Sequence, residues 1–356
     1  MRKKTISVAL ALALAAPLLA GCSGAPAVIQ PSGGEDTPGG GSSASAGPPS
    51  GSAVKTGFSV MTSLSSSKDA SAQGDGTAQT DIVLVGVTVD EDGMIESCVI
   101  DGIQVKIGFN AAGQLTTDPA TAFASKNELG DRYGMKQASS IGREWYEQAA
   151  AMADYAVGKT VDEIKGIAVN EKGVPTQADL ASSVTVYIGD FVAGIEDAVN
   201  NARHLGAKSG DRLALASATT MAKSKGASAQ EEGLAQAAAA AAAVTFNGDT
   251  VTSCYIDAVQ ADVNFNAQGV ITSDLSARPL TKNQLGDRYG MKQASSIGKE
   301  WYEQAAAFSA YVTGKTVDEI TSIAVDERTS PTQADLAATV TISIGDFQAL
   351  LEKAAG

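Results

Sequence analysis

The chain predicts an α+β protein made of two tandem repeats, each a small antiparallel sheet with packed helices, after a flexible N-terminal segment. Three observations predict this. Residues 126–164 recur almost unchanged as residues 282–320, and both tryptophans of the protein, Trp145 and Trp301, fall at the same place in the two copies. The match runs far beyond that stretch: an offset of 156 also aligns Ser97-Cys98 with Ser253-Cys254, Pro175-Thr176-Gln177 with Pro331-Thr332-Gln333, and Gly189-Asp190-Phe191 with Gly345-Asp346-Phe347. Within each copy, alternating strand-like segments come first and segments of helical periodicity follow. A period this long means tandem domains, because solenoid repeats run to about 20–50 residues. The expected organisation is a leader at 1–21, a tether at 22–53, a first repeat at 54–200, a linker at 201–204 and a second repeat at 205–356.

In the first repeat, residues 57–64 suit a strand. Residues 81–90 alternate through Ile82, Leu84, Val87 and Val89. Asp92-Gly93 is a hairpin signal, and residues 94–100 and 105–109 read as the next strands. Asn110-Ala111-Ala112-Gly113 is a turn, residues 116–125 a loop and Asp131–Gly134 a second turn. A helix over 141–156, capped by Ser139 or Ser140, sets Ile141, Trp145, Gln148, Ala149 and Met152 on one face, and Gly158 ends it. Thr160 caps a short helix with Asp162 and Glu163 in its first turn. Residues 183–188 alternate like a strand, and Asp190 caps a last helix over 191–201. In the second repeat, alanine-rich residues 236–244 stand where the first has β-branched residues. Alanine favours helix, but the repeat demands a strand, at least for the last residues of the run.

Hydrophobic residues make up 44% of the chain and aromatics only 5%, so the core is expected to be Ala, Val, Ile and Leu. At the N-terminus, Arg2, Lys3 and Lys4 precede an apolar run over 6–19 that is too short to span a bilayer. It closes in Leu19-Ala20-Gly21-Cys22. This resembles a bacterial lipobox, which implies cleavage before Cys22, a lipid (palmitate-type) anchor on it and residence on the extracellular face of the cell membrane. The Gly/Ser/Pro-rich segment that follows reads as a tether with an r.m.s. span on the order of 30 Å. The net charge of −14 falls by three more when the leader is removed, which argues against nucleic acid as a partner.

Few chemistries can be built twice from this sequence. The single histidine, His204, lies in the expected linker, so a repeated His-dependent triad or metal centre is excluded. No phosphate-binding glycine loop of P-loop or dinucleotide spacing is present. Cys98 and Cys254, inside apolar runs, read as buried free thiols. Asp131, Glu144 and Glu147, with Asp287, Glu300 and Glu303, are the repeated acids, and they read as solvated or structural rather than catalytic. No enzymatic activity is expected. The Gly-Asp-Arg-Tyr-Gly-Met-Lys run admits two readings. In one it orders a turn, with Tyr133 and Trp145 plugging the core. In the other, Arg132, Tyr133, Lys136 and Trp145, with Arg288, Tyr289, Lys292 and Trp301, line a pocket for a planar or anionic ligand, stacking on the rings and pairing with the cations.

Asp179-Leu180-Ala181-Ser182-Ser183-Val184-Thr185 resembles the Asp-x-x-Ser/Thr-Gly-Ala-Thr motif of bacterial extracytoplasmic FMN-binding domains. The second copy reads Asp335-Leu336-Ala337-Ala338-Thr339-Val340-Thr341. The resemblance implies a small α+β fold and FMN as cofactor, with Asp179, Ser182 and Thr185, and Asp335 and Thr341, at the flavin. Both copies lack the motif's Gly-Ala, and Ala338 replaces its hydroxyl residue. The wider pattern is similar to surface lipoproteins of Gram-positive bacteria of the major membrane immunogen type. The expected function is therefore a membrane-anchored binding lipoprotein for a small ligand such as FMN, with a possible place in extracellular electron transfer. The alternative is a cofactor-free lipoprotein displaying a surface to a protein partner.

Overall fold

The computed structural model describes residues 51–356, all within one compact unit. The leader, Cys22 and most of the tether lie outside the described residues.

The first half begins with β1 (Lys55–Ser63), β2 (Gly76–Val89) and β3 (Ile95–Phe109), an antiparallel sheet in that order. The short α1 (Lys126–Leu129) and a 3-10 turn at Gly130–Tyr133 follow, then α2 (Trp145–Ala156), α3 (Val161–Lys165), α4 (Ala178–Ala181) and α5 (Gly189–Asn200). The second half has the same order. β4 (Arg212–Thr220), β5 (Gly233–Asn247) and β6 (Thr250–Phe265) form a second antiparallel sheet. They are followed by α6 (Lys282–Leu285), a 3-10 turn at Gly286–Tyr289, α7 (Trp301–Val312), α8 (Val317–Thr321), α9 (Ala334–Ala337) and α10 (Gly345–Ala355).

Strand alternation sends neighbouring residues to opposite faces, and both faces of both sheets are covered. On β2, Ile82 and Leu84 point to the other sheet, while Val85, Val87 and Val89 point to the helices of their own half. The result is four layers, helix–sheet–sheet–helix, with a shared core between the sheets and one core under each helical layer. The shared core sets large against small. Ile82 and Leu84 of β2, with Ile103, Val105 and Ile107 of β3 beside them, share this core with Ala237, Ala239, Ala241 and Ala243 of β5. This is why the alanine run is strand along its whole length. β5 is the central strand, paired on both sides, and only a small side chain fits opposite the branched face. Tertiary packing overrides propensity here.

The contacts between the halves are reciprocal. Phe109 and Phe265, 156 positions apart in the sequence, stack on one another at 4.2 Å and 6°. Ala70 N–H donates to Gly269 O at 2.8 Å, and Ala227 N–H donates to Gly113 O at 2.7 Å.

Four local expectations are corrected. Residues 183–188 are not a strand. Val184 and Ile188 are buried, which accounts for the alternation, but the segment lies beneath the helices with no strand to pair with. The two strands expected at 94–100 and 105–109 are one, β3, which runs through Asp101-Gly102. The helix expected from Ile141 starts at Trp145, because Glu144 and Glu147 form its capping box, and neither Ser139 nor Ser140 caps it. The last helix starts at Gly189 with Asp190 in its first turn, and Asp190 makes no side-chain cap. A difference between the halves appears at Thr329, at φ 58° in the left-handed region where the first half has Gly173. The Tyr187 ring lies where a Cβ on Gly173 would fall, whereas Thr329 shares a hydrogen bond with the smaller Ser343.

Candidate functional site

The repeated signature stretch folds around a buried carboxylate. Glu144 accepts hydrogen bonds from the backbone N–H groups of Met135 (2.8 Å), Lys136 (2.8 Å) and Glu147, and Glu147 caps the Glu144 N–H in return. Glu300 does the same for Met291 and Lys292 at 2.9 Å. Glu144 and Glu300 are each only 1% exposed. Their oxygens are used in holding the loop onto the helix N-terminus, a structural role.

That scaffold distributes the sequence-predicted residues unevenly. Trp145 is buried in the core, edge-on to Phe191 at 5.6 Å, and Trp301 is edge-on to Phe347 at 5.9 Å. Tyr133 is half-buried, and it shares one cation with Trp145: the Lys126 ammonium lies 4.9 Å and 4.6 Å from the two ring centres. Lys282 does the same for Tyr289 and Trp301, at 4.8 Å to each. Burial lowers the Lys126 pKa, against the pull of Asp81 and Asp101. Sequence reasoning missed both lysines, although each opens the repeated stretch. Arg132, Lys136, Arg288 and Lys292 stay on the surface; Arg132 donates to Glu128 O and Arg288 to Gln284 O.

Thr185 and Thr341 are half-buried. Each donates both its N–H (2.8 Å) and its hydroxyl (3.2 Å) to a buried glutamine of the tryptophan-bearing helix, Gln148 or Gln304. Asp179 and Asp335 are exposed and accept from the next backbone N–H, and Ser182 donates to Asp179 O. An FMN phosphate at Thr185 would need nearby donors. The Ser183 and Val184 N–H groups are bonded to Leu180 O, and that of Thr185 to Gln148. As folded, these three amides leave no donor for a phosphate.

Asp101 and Asp257 are buried carboxyls that pin α1 to β3 and α6 to β6. Asp257 accepts from the N–H groups of Ala258 (2.7 Å) and Asn283 (3.1 Å). Burial pushes its pKa up to about 6, against hydrogen bonds from Thr281, Asn283 and Ala258 and the charge of Lys282. A raised folded-state pKa means that the fold holds the proton more tightly than the unfolded chain does. Stability from this group is full below about pH 4 and is lost as pH rises through about 6. Urea unfolding at pH 5 and pH 7.5 should show the wild type losing stability relative to Asp257→Asn as pH rises, by up to on the order of 3 kcal/mol across the whole window. Parallel curves would refute the assignment.

A cavity borders this anchor, where the first half crosses to the second. Thr56 and Arg203 exchange backbone hydrogen bonds at 2.8 and 3.0 Å, which pins the segment leaving α5 to β1. Gly206 then passes so close to β6 that a Cβ would lie 2.4 Å from Thr252 O, at φ 115°. Between this segment, the edge strand β6 and α7 is a cavity of about 550 Å³, within the range of about 300–1,000 Å³ usual for small-molecule sites. Arg203, His204, Tyr255 and Tyr302 line it, with Cys254 and Ser309 in its buried part. The Arg203 guanidinium lies over the Tyr255 ring at 4.6 Å and donates to its hydroxyl. Ser309 is 7% exposed, and its hydroxyl is enclosed against the Cys254 thiol. Cys98 and Cys254 are both free thiols. Burial pushes each up to about 12, with Asp154 adding to the rise at Cys98, so neither is a ready nucleophile.

Among the described residues, no cluster of His, Cys, Asp and Glu could hold a metal ion, and no helix is long and apolar enough to cross a membrane. No family model matches the chain, and no solved structure matches it. A stretch of 40 residues, 11% of this chain, is 50% identical to part of a protein described as chlorophenol reductase from Desulfitobacterium hafniense. It spans 12% of that protein's length.

Proposed function

We propose that the chain is an extracytoplasmic lipoprotein of two tandem α+β repeats, anchored through Cys22, that binds a small organic ligand in the cavity between Arg203, Tyr255 and Tyr302. The observation that carries this reading is the cavity: it has small-molecule volume, stacking faces at its rim and no acid in its lining. The tether would let the folded part reach ligands away from the membrane surface.

A second reading is flavin carriage at Thr185 and Thr341. It is supported by the recurrence of the Asp…Thr pattern in both halves, and the partial match to a protein named as a reductase is in keeping with a redox setting. On this reading Gln148 and Gln304 would release the threonines to a phosphate.

An absorbance spectrum and intact mass of the mature chain, co-expressed with a flavin transferase, test the two together. Unmodified mass with no flavin bands is the outcome expected for reversible binding in the cavity. An added FMN mass that disappears in Thr185→Ala would establish the flavin reading instead.

A further inference from the structure

Resting on the cavity reading above, we propose that the ligand is an aromatic organic anion and that each chain binds one, in the second half alone. Four observations carry this. First, the chain has 40 Asp and Glu against 26 Lys and Arg, yet no acid lines the cavity, whereas Arg203 and His204 do. Second, the two basic residues differ. His204 is paired with Glu91 at 3.0 Å, and Glu91 also holds Lys55. Arg203 makes no ion pair among the described residues, and it is exposed at the rim. Its guanidinium lies over the Tyr255 ring at 4.6 Å, with donors left over for a carboxylate, sulfonate or phosphate. Third, the rings of Tyr255 and Tyr302 and the methyl groups of Ala306 and Ala310 leave room for a planar body beside the guanidinium.

Fourth, the first half cannot repeat the site. At positions 156 earlier, Tyr255 becomes Val99, Ser309 becomes Ala153 and Ala310 becomes Asp154. The stacking face and the buried hydroxyl are lost, and a carboxylate stands where an anion would have to pass. Two halves of nearly the same fold therefore differ in their affinity for an anion.

The test is a fluorescence titration of the mature chain with 1-anilinonaphthalene-8-sulfonate, an aromatic anion, and with the neutral N-phenyl-1-naphthylamine. The expected result is one sulfonate probe per chain, bound at least about tenfold more tightly than the neutral probe, as one charge-assisted hydrogen bond would provide. Arg203→Gln, and Ala310→Asp copying Asp154, should each weaken the anionic probe about tenfold and leave the neutral probe unchanged. Ala306→Trp, which fills the cavity, should abolish both, with circular dichroism unchanged in all three variants.

Equal affinity for the two probes, or indifference to Arg203→Gln and Ala310→Asp, would overturn the anion assignment while leaving the cavity a binding site. Two equivalent sulfonate sites per chain would overturn the restriction to the second half. If neither probe binds, or if binding survives Ala306→Trp, the cavity reading falls as well.

Discussion

Phe109→Ala is expected to remove about 3–5 kcal/mol of stability, the largest effect of any single truncation in the shared core. Phe109 and Phe265 are both fully buried and stack on one another, so cutting one ring leaves a void and strips the other of its partner face. The neighbourhood cannot close easily. Gly76 and Gly233 pack directly against the two rings, where a Cβ would come within 2.4 and 2.3 Å of ring carbons, and glycine has no side chain to swing into a hole. Phe265→Ala should cost a similar amount. The double variant should cost less than the sum of the two, because the ring–ring contact is lost only once. Urea unfolding of the two single variants and the double variant measures this, and strict additivity would show that the stacking carries no energy of its own.

Glu144→Ala should cost about 3 kcal/mol or more, by stranding several backbone donors at once. The Met135, Lys136 and Glu147 N–H groups all lose their acceptor, and the loop carrying Tyr133 loses its tie to α2. The first sign would be a change in Trp145 fluorescence, since the indole sits at the N-terminus of the helix that Glu144 caps. Glu144→Gln keeps one side-chain oxygen as acceptor and should recover part of the loss, while Glu147→Ala, which removes one bond near the surface, should cost about 1 kcal/mol. A Glu144→Ala variant as stable as the wild type, with unchanged tryptophan emission, would show that the loop is held by something else.

The regular parts of the fold were legible from the sequence. β1, β2, the Asp92-Gly93 turn and α3 with its Thr160 cap all follow from alternation, helical spacing and capping residues. The misreadings share a cause: a residue that looked local was answering to a distant partner. Asp101-Gly102 resembled a break in a strand, but Asp101 is carried inside β3 and satisfied by the Asn127 N–H from α1. Residues 183–188 alternated because the protein interior takes every other side chain, while Gln148, from 37 positions away, receives the Thr185 N–H that a sheet would have claimed.

The cavity was the least legible part. It depends on Arg203 and His204, residues of the expected linker, meeting β6 and α7, and a repeat comparison turns attention toward what the halves share. The signal available in the sequence was the opposite one, a difference between aligned positions, with Val99 against Tyr255 and Ala153 against Ser309.

The large-against-small fit between the sheets has a consequence for lineage. Two identical polypeptides facing one another across a dyad would make the strand on the axis, β2, meet its own copy, alanine to alanine or isoleucine to isoleucine. One would leave a gap and the other a clash. The present fit, with branched side chains on β2 against the alanines of β5, is open only to partners whose sequences differ. Fusion would thus have released the two copies from matching each other. It let one become thin-walled where the other is thick, and it left the second copy alone to keep an aromatic rim beside its edge strand.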